Sequence, residues 1–520
     1  FERAIEIDPY CKTSVLNISS LMLRLGNNQG ALRKCNDFIK LKPDCVDVQL
    51  MKGKIFIAMK NFSEGEKIFE KACKILPDCF ETWEGLGDCL YGGGDTAGAV
   101  KKYNIAAKLN PKAFDSFFQL GFIRMEKGHY STALKCFRRA ARIRPDSIET
   151  LFNIGQIFHA KGSHYYKEAI QYYNKALEIN PNHGRSLAEK LHLCALICDW
   201  DEIENLRLQL PSIGTTVGVV EPFALLALED APDRHKIRAE RFCADTIVPG
   251  KLPNFVMPSG KQNKIKVGYF SGDFHLHPVS TLISAVLESH FKNDFEIFAY
   301  SLNNKKDDMY RRISTVVTNF KDVSKLSEIE IASLARRDGI DIAIDLSGHT
   351  RNGRPQIFAH RAAPIQVSYL GFPGSMGANF IDYIIVDKNL VPPENQKYYS
   401  EKPIYLPSHY QAQDSGLSLA EAPSRRELGL PEDAFIFCAI NNTYKITPVE
   451  FDIWMRLLHA VDDSVLWLFA STEISKENLI KEASKRGISM DRLVFAKKVG
   501  FGQYIDQFTH ADLYLDTFNY

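Results

Sequence analysis

Small and aromatic residues return in one register through the first third of the chain. Large rings recur at Phe69, Tyr103, Phe137 and Tyr173. Glycines recur at Gly53, Gly87, Gly121 and Gly155. Alanines recur at Ala72, Ala106, Ala140 and Ala176, and in a second series at Ala31, Ala99, Ala133 and Ala169. Prolines punctuate the pattern at Pro9, Pro43, Pro77, Pro111, Pro145 and Pro181, in steps of 34, 34, 34, 34 and 36 residues. Five independent positions sharing a period predict a stacked array of helix pairs. Each proline follows the second helix of a pair, where it stops the helix and turns the chain. Each glycine is expected where the two helices come close. The two extra residues of the last step fall near Ser163-His164-Tyr165-Tyr166, between its helices.

After residue 182 the period is lost. His183 to Leu208 read as helical, Pro211 to Gly214 as a break, and Pro222 to Leu228 as the start of another helix. Pro249-Gly250 and Pro258-Ser259-Gly260 mark a linker. From Lys264, short β-rich runs alternate with helical stretches. The runs are Ile265 to Phe270, Phe295 to Ser301, Ile340 to Leu346, Ile365 to Leu370 and Tyr383 to Val386, with helices at Ser280 to Phe291 and Leu326 to Asp338. A second set has strands at Phe435 to Ile440, Val465 to Ala470, Leu493 to Phe495 and from Leu513. Its helices are Pro448 to Val461, Ile474 to Arg486 and Tyr504 to His510. This alternation predicts parallel sheets covered by helices. Four regions result: repeats over 1–182, a helical linker over 183–262, and Rossmann-like lobes over 263–425 and 426–520.

Composition narrows the function classes. With a net charge of +1 over 520 residues, nothing favours nucleic acid or an anionic membrane as partner. No apolar run approaches the ~20 residues of a membrane span. Eleven cysteines lie scattered without a CxxC pair, and Cys35, Cys73, Cys89 and Cys136 occupy packed helix positions. Buried reduced thiols and a cytoplasmic location are expected. Asp199-Trp200-Asp201 spells a DxD metal motif, but it lies in a helical stretch, so Asp201 reads as a local helix start.

Open parallel sheets bind ligands beyond the carboxyl ends of their strands, and four loops lie there. Ser271 to Pro278 follows the first strand, with His277 at a helix N-terminus where the dipole disfavours a charged ring. A neutral His277 takes a proton or hydrogen-bonds a sugar, and Asp273 orients it or takes the proton. The alternative is that Asp273 caps the turn and His277 packs locally. Gly348 to Arg351 either turns His349 and Arg351 toward the cleft or forms a solvated turn. Gly371 to Gly377 follows Ile365 to Leu370, and its glycines let backbone N–H groups approach a ligand. In Asn441 to Pro448, Thr447-Pro448-Val449-Glu450 spells a capping box with proline at N1. With Lys445 just before it, this makes an anion site suited to a departing diphosphate, against the plainer reading of a surface lysine.

The repeats resemble the tetratricopeptide family, and the loops together resemble the SPINDLY and O-linked N-acetylglucosamine transferase family. The match runs through Val267 to Phe274 with His277-Pro278, Ala363 to Gly374, Asp382-Tyr383, Tyr399 to Lys402, Asn441 to Pro448, Ser464 to Leu468, and Ala511-Asp512 to Asp516-Thr517. The resemblance implies an α-solenoid (tetratricopeptide superhelix) followed by a GT-B pair of Rossmann-like lobes, the second incomplete. It also implies inverting, metal-independent transfer of a sugar from a nucleotide donor to protein Ser or Thr, with no cofactor. UDP-N-acetylglucosamine is the first choice of donor and GDP-fucose the second. On this resemblance His277 and Asp273 line the sugar and acceptor side, and Lys445 holds the pyrophosphate with Asn442 and Tyr444. Leu370, Gly371, Pro373, Gly374 and His349 border the donor, and Lys498 and Tyr504 contact the nucleotide. The repeat groove would hold the acceptor protein.

Some positions depart from the family pattern. Where animal members carry a proposed histidine base, this chain reads Val220-Glu221-Pro222-Phe223, so that base is either absent or replaced, with Glu221 the candidate. Tyr504 stands where many members have His. The groove's asparagine ladder is partial: Asn17, Met51, Gly85, Gln119 and Asn153. The first residues match only the end of a repeat, and the family's His-Thr-Thr turn would follow Tyr520, so truncation at both ends is expected. Two alternatives stay open: a non-catalytic repeat scaffold, and a transferase with another acceptor.

Overall fold

The computed structural model describes residues 1–248, 252–253, 264–290, 293–413, 423–497, 499 and 505–519. The chain divides into two compact units, Phe1–Pro181 and Asn182–Tyr520.

The first unit is a run of antiparallel helix pairs, from Lys12–Arg24 with Asn28–Leu41 to Ile148–Ala160 with Tyr166–Ile179. The glycine and aromatic series prove to be two halves of one contact. A Cβ on Gly53, Gly87, Gly121 or Gly155 would lie 2.7, 2.7, 2.9 or 2.5 Å from the ring of Phe69, Tyr103, Phe137 or Tyr173, respectively. All four rings are buried, so each aromatic fills the space its glycine leaves open. The two extra residues fall at a three-residue 3-10 turn, Ser163–Tyr165.

The second unit holds two parallel sheets. The strands in chain order are β1 (Ile265–Ser271), β2 (Phe295–Ser301), β3 (Asn319–Asp322), β4 (Ile342–Asp345), β5 (Ile365–Ser368), β6 (Tyr383–Val386) and β7 (Lys402–Tyr405) in the first sheet. The second sheet has β8 (Phe435–Ala439), β9 (Ser464–Leu468), β10 (Leu493–Phe495) and β11 (Leu513–Tyr514). The first is ordered β3-β2-β1-β4-β5-β6-β7 and the second β10-β9-β8-β11, all pairs parallel. Both therefore open with the same winding, whose direction reverses between β1 and β4 and again between β8 and β11. Such reversal points open a crevice at the strands' carboxyl ends. β3 and β7, absent from the expected strands, are the two edges of the first sheet.

Residues 183–248 do not form a layer of their own. Cys198 and Trp200 sit in one core with Phe437, Phe451 and Leu466 of the second sheet and its helices. Leu226 and Cys243 sit instead in the core of the first sheet with Phe270, Phe358 and Phe372. The helix expected at Pro222 is a short 3-10 turn, Pro222–Leu225, and the long helix comes later, at Pro232–Thr246. Fully buried Arg238 on that helix donates to the carbonyls of Ile213 (2.8 Å) and Leu210 (2.9 Å) and pairs with Glu229. It thereby fixes the 210–229 stretch against the first lobe.

All eleven cysteines are unpaired. Among the described residues no helix is long and apolar enough to cross a membrane.

Candidate active site

Both reversal points carry polar side chains that the sequence singles out. At the first, Ser271 ends β1 and the helix Pro278–Ser289 begins seven residues later. Gly272 permits the close approach of the next turn: a Cβ there would lie 2.5 Å from both Cβ and O of Asn352. That approach brings the Asn352 amide onto buried Asp273, donating to Oδ1 at 3.0 Å. His277 is the helix N-cap, and its Nδ1 accepts from the Val279 N–H at 3.3 Å. The lone pair on Nδ1 is thus engaged, and the 3.8 Å between Nδ1 and Asp273 Oδ2 is not a hydrogen bond. In the neutral ring the proton sits on Nε2, at the other side of a half-exposed imidazole. Burial holds the His277 pKa below the usual histidine range. Asp273 opposes that shift, while His275 and Lys305 add to it. The shift runs in the direction the sequence leads one to expect, with burial as its largest cause.

Asp345, at the end of β4, shapes the neighbouring turn. Its Oδ1 accepts from the N–H groups of Ser347 (2.9 Å) and Gly348 (3.0 Å). Oδ2 has no partner among the described residues, and burial pushes the carboxyl pKa up to about 6.

His349 corrects the sequence reading in both of its forms, since it neither lines an open cleft nor lies in a solvated turn. Its ring is buried edge-on between Phe242 and Phe372, with centroids 5.3 and 5.2 Å away. Nε2 donates to the Met376 carbonyl at 2.8 Å, and burial pushes the pKa down to about 4. Phe242 and Phe372 enclose the imidazole, and its Nδ1 has no partner among the described residues.

In the glycine-rich loop three backbone donors are already taken within the protein. The N–H of Gly371 turns back to the Tyr369 carbonyl (2.9 Å), that of Met376 goes to Glu401 (2.6 Å) and that of Gly377 to Ser375 Oγ (3.1 Å). These donors brace the loop. Gly371 is needed for another reason: a Cβ there would lie 2.0 Å from the Leu346 carbonyl oxygen. Leu370 takes a positive φ of 73°, an uncommon backbone state for a residue with a side chain. Buried Glu401 is the brace, with Oε2 accepting from Ser375 Oγ at 2.8 Å. Pro373 and Gly374 are half-buried on the loop's outer turn, with Gly374 beside Leu226.

At the second reversal point, Thr443–Lys445 form a 3-10 turn after β8. The capping box is present: Thr447 accepts from the Val449 N–H (3.3 Å), and Glu450 accepts from the Thr447 N–H (3.2 Å). Lys445 is half-buried, and burial lowers its pKa against the opposing pull of Asp516. Asn442 is exposed at the start of the turn. Tyr444 packs against His192 (5.6 Å) and Phe223 (6.2 Å). Phe223 also packs on the first sheet's core, and Asn519 Nδ2 donates to the Ala227 carbonyl at 3.1 Å. The 221–227 segment thus forms a wall shared by the two lobes, with Glu221 exposed at its start.

Asp199, not Asp201, caps the helix Trp200–Leu206, and Asp201 pairs with Lys481 and Lys485, each at 3.2 Å. Lys498 and Tyr504 lie outside the described residues. Sequence reading gave no role to His275, Asn352, Asp345, Phe223 or Glu401. Only His275 left a local signal, as the first histidine of an H-x-H pair beside Asp273.

Residues 207–421 and 418–519 match the model of glycosyl transferase family 41. The chain belongs to glycosyl transferase family 41. Tetratricopeptide models match 50–114, 123–162 and 148–183. Among curated relatives, the Arabidopsis thaliana protein named "Probable UDP-N-acetylglucosamine--peptide N-acetylglucosaminyltransferase SEC" is 32% identical over 350 residues, covering 63% of this chain and 36% of that one. A Caenorhabditis elegans UDP-N-acetylglucosamine--peptide N-acetylglucosaminyltransferase is 24% identical over 457 residues, covering 62% and 39%. The Arabidopsis protein named "Probable UDP-N-acetylglucosamine--peptide N-acetylglucosaminyltransferase SPINDLY" is 30% identical over 272 residues, covering 50% and 29%. This family 41 chain spans about a third of the length of the curated relatives it matches. A solved Thermobaculum terrenum O-GlcNAc transferase mutant shares the fold, with a TM-score of 0.56 at 23% identity over 85% of this chain and 78% of that one.

Proposed function

We propose that this chain carries a protein O-glycosyltransferase site that moves N-acetylglucosamine from UDP-N-acetylglucosamine onto Ser or Thr hydroxyls. The reaction is an inverting single displacement that requires no metal. The observation that carries this reading is the second reversal point. There a half-buried ammonium, Lys445, stands just before a capped, proline-led helix tip, where a diphosphate gains charge as it leaves. The names of the Arabidopsis and C. elegans relatives support the choice of donor and acceptor.

In this reading the acceptor hydroxyl attacks the sugar carbon on the face opposite the diphosphate. Asp273 receives the proton and the Nε2–H of His277 hydrogen-bonds the sugar. The braced loop at Leu370, Gly371, Pro373 and Gly374 borders the sugar, and Asn442 and Tyr444 flank the pyrophosphate. Lys498 and Tyr504 contact the nucleotide. Glu221 on the shared wall is the second candidate base. The helical array presents the polypeptide. Incubating the full-length protein and an acceptor protein with labelled UDP-N-acetylglucosamine, and separately with labelled GDP-fucose, tests the reading. N-acetylglucosamine label on Ser or Thr supports it; label from GDP-fucose alone, or no transfer or nucleotide binding with either donor, refutes it.

A further inference from the structure

His275 is a second imidazole beside Asp273. It is buried, and its ring lies 5.7 Å from that of His277. Its Nδ1 lies 3.2 Å from the Leu276 carbonyl. A carbonyl only accepts, so Nδ1 carries a proton and the neutral ring keeps its lone pair on Nε2. That Nε2 has no hydrogen-bond partner among the described residues and stands 3.8 Å from Asp273 Oδ1. On the other side, the engaged Nδ1 of His277 stands 3.8 Å from Oδ2. Asn352 is the one side chain that hydrogen-bonds the carboxylate among the described residues. A buried acceptor-only group therefore faces an imidazole lone pair across a gap one proton would close, since a charge-assisted N–H···O contact shortens to roughly 2.8 Å.

We propose that His275 is a positioning residue that acts through Asp273 and provides the slot into which the acceptor hydroxyl's proton finally passes. The catalytic consequence rests on the transferase reading above. The acceptor oxygen bonds to the sugar carbon as the bond from that carbon to the diphosphate oxygen breaks, its electron pair leaving with the diphosphate. The hydroxyl proton passes to Asp273 and on to His275 Nε2. The carboxylate is then charged again beside an imidazolium, so the buried pair is neutral overall. Water takes the proton when product departs. Among the described residues, the charged and titratable groups that act on His275 or on its neighbour His277 include Asp273 on the same loop, and Lys305 and Asp307 on the segment after β2.

Two measurements on the full-length protein test this. The first is the pH profile of transfer for His275→Gln. It should lose 10- to 100-fold in kcat, the lower range of general acid–base effects, with the affinity for UDP unchanged. The acid limb of the wild-type profile, where the slot is already filled, should flatten. A kcat within threefold of wild type, or an acid limb that keeps its shape, overturns the proposal. The second is NMR of the 15N-labelled histidine rings without substrate, which is independent of any activity. His275 should carry its proton on Nδ1 and gain a second on Nε2 as pH falls, and Asp273→Asn should move that transition to lower pH. A neutral His275 protonated on Nε2, or no response to Asp273→Asn, overturns the proposal even if the transferase reading stands. A protein inactive with every donor overturns the transferase reading, and the NMR result still decides the proton slot.

Discussion

Replacing Lys445 by Ala removes the cation beside the helix tip at the end of β8. Its ammonium is half-buried, and burial lowers its pKa, so it sits in a medium less polar than water. Two unit charges about 4 Å apart interact by about 4 kcal/mol at an effective dielectric of about 20. Part of that attraction already exists with the intact donor, whose diphosphate is charged before the bond breaks. The share gained only in the transition state is smaller, about 2.7 kcal/mol, the lower figure for loss of one oxyanion contact, or about 10² in rate. Steady-state transfer from UDP-N-acetylglucosamine to a peptide, measured on the full-length protein, should show that loss in kcat, with the peptide KM little changed. The ammonium is no part of a packed core, so the melting temperature should move little. Lys445→Arg keeps its charge at high pH. Its rate should therefore persist at alkaline pH where the wild type declines, because that decline reports loss of the lysine proton. A Lys445→Ala kcat within threefold of wild type would refute the reasoning. So would a loss confined to the donor KM, which would mean that Lys445 binds donor and transition state alike.

Three further perturbations bear on the fold and the site. In Gly155→Ala the new Cβ would lie 2.5 Å from the buried Tyr173 ring; overpacking of about 1–3 kcal/mol exceeds the helix-propensity gain of about 1 kcal/mol, so thermal unfolding should show a net loss, and an unchanged midpoint would contradict the packing account. His349 has a pKa of about 4 against 6.5 for the free side chain, so below pH 6.5 the unfolded chain binds a proton that the folded chain refuses. That costs about 3 kcal/mol by pH 4, and urea titrations should show His349→Gln gaining that much relative to wild type between pH 7.5 and 4. The comparison must be relative, because Asp345, raised to about 6, shifts stability in the opposite sense over the same window; parallel pH curves would sink the argument. Asp201→Asn and treatment with EDTA should both leave transfer unchanged, since Asp201 is occupied by Lys481 and Lys485; inhibition by the chelator would restore the DxD reading.

What the sequence made legible were features whose cause is local or strictly periodic. The 34-residue register needed no tertiary knowledge, because each glycine and its ring repeat together. The capping box at Thr447 is four consecutive residues, so its helix start and the lysine before it could be read directly. The central strands are continuous apolar runs, whereas β3 (Asn319–Asp322) and β7 (Lys402–Tyr405) are short, partly exposed edges paired on one side only. Pro403 in β7 marks an edge position, but only once the neighbouring strand is known. His349 was misjudged because its surroundings, Phe242 and Phe372, come from elements far along the chain. His275 escaped for a related reason. Its importance lies in which ring nitrogen faces Asp273, and the order of residues does not show that.

The two sheets repeat one winding order, yet their reversal points carry opposite charge, and the proposed displacement gives that contrast a use. A nucleophile that loses a proton needs a base on its own side. A leaving group that gains negative charge needs a cation on the far side. Asp273, faced by the unpartnered Nε2 of His275, suits the first need and would hinder the second. Lys445, with a capped helix tip beside it, suits the second and would hinder the first. Were both groups at one reversal point, they would pair with each other, and neither would be available to the substrate. Placing them on separate sheets joined by the Phe223–Tyr444 wall keeps the carboxylate and the ammonium from pairing with each other within one folded chain.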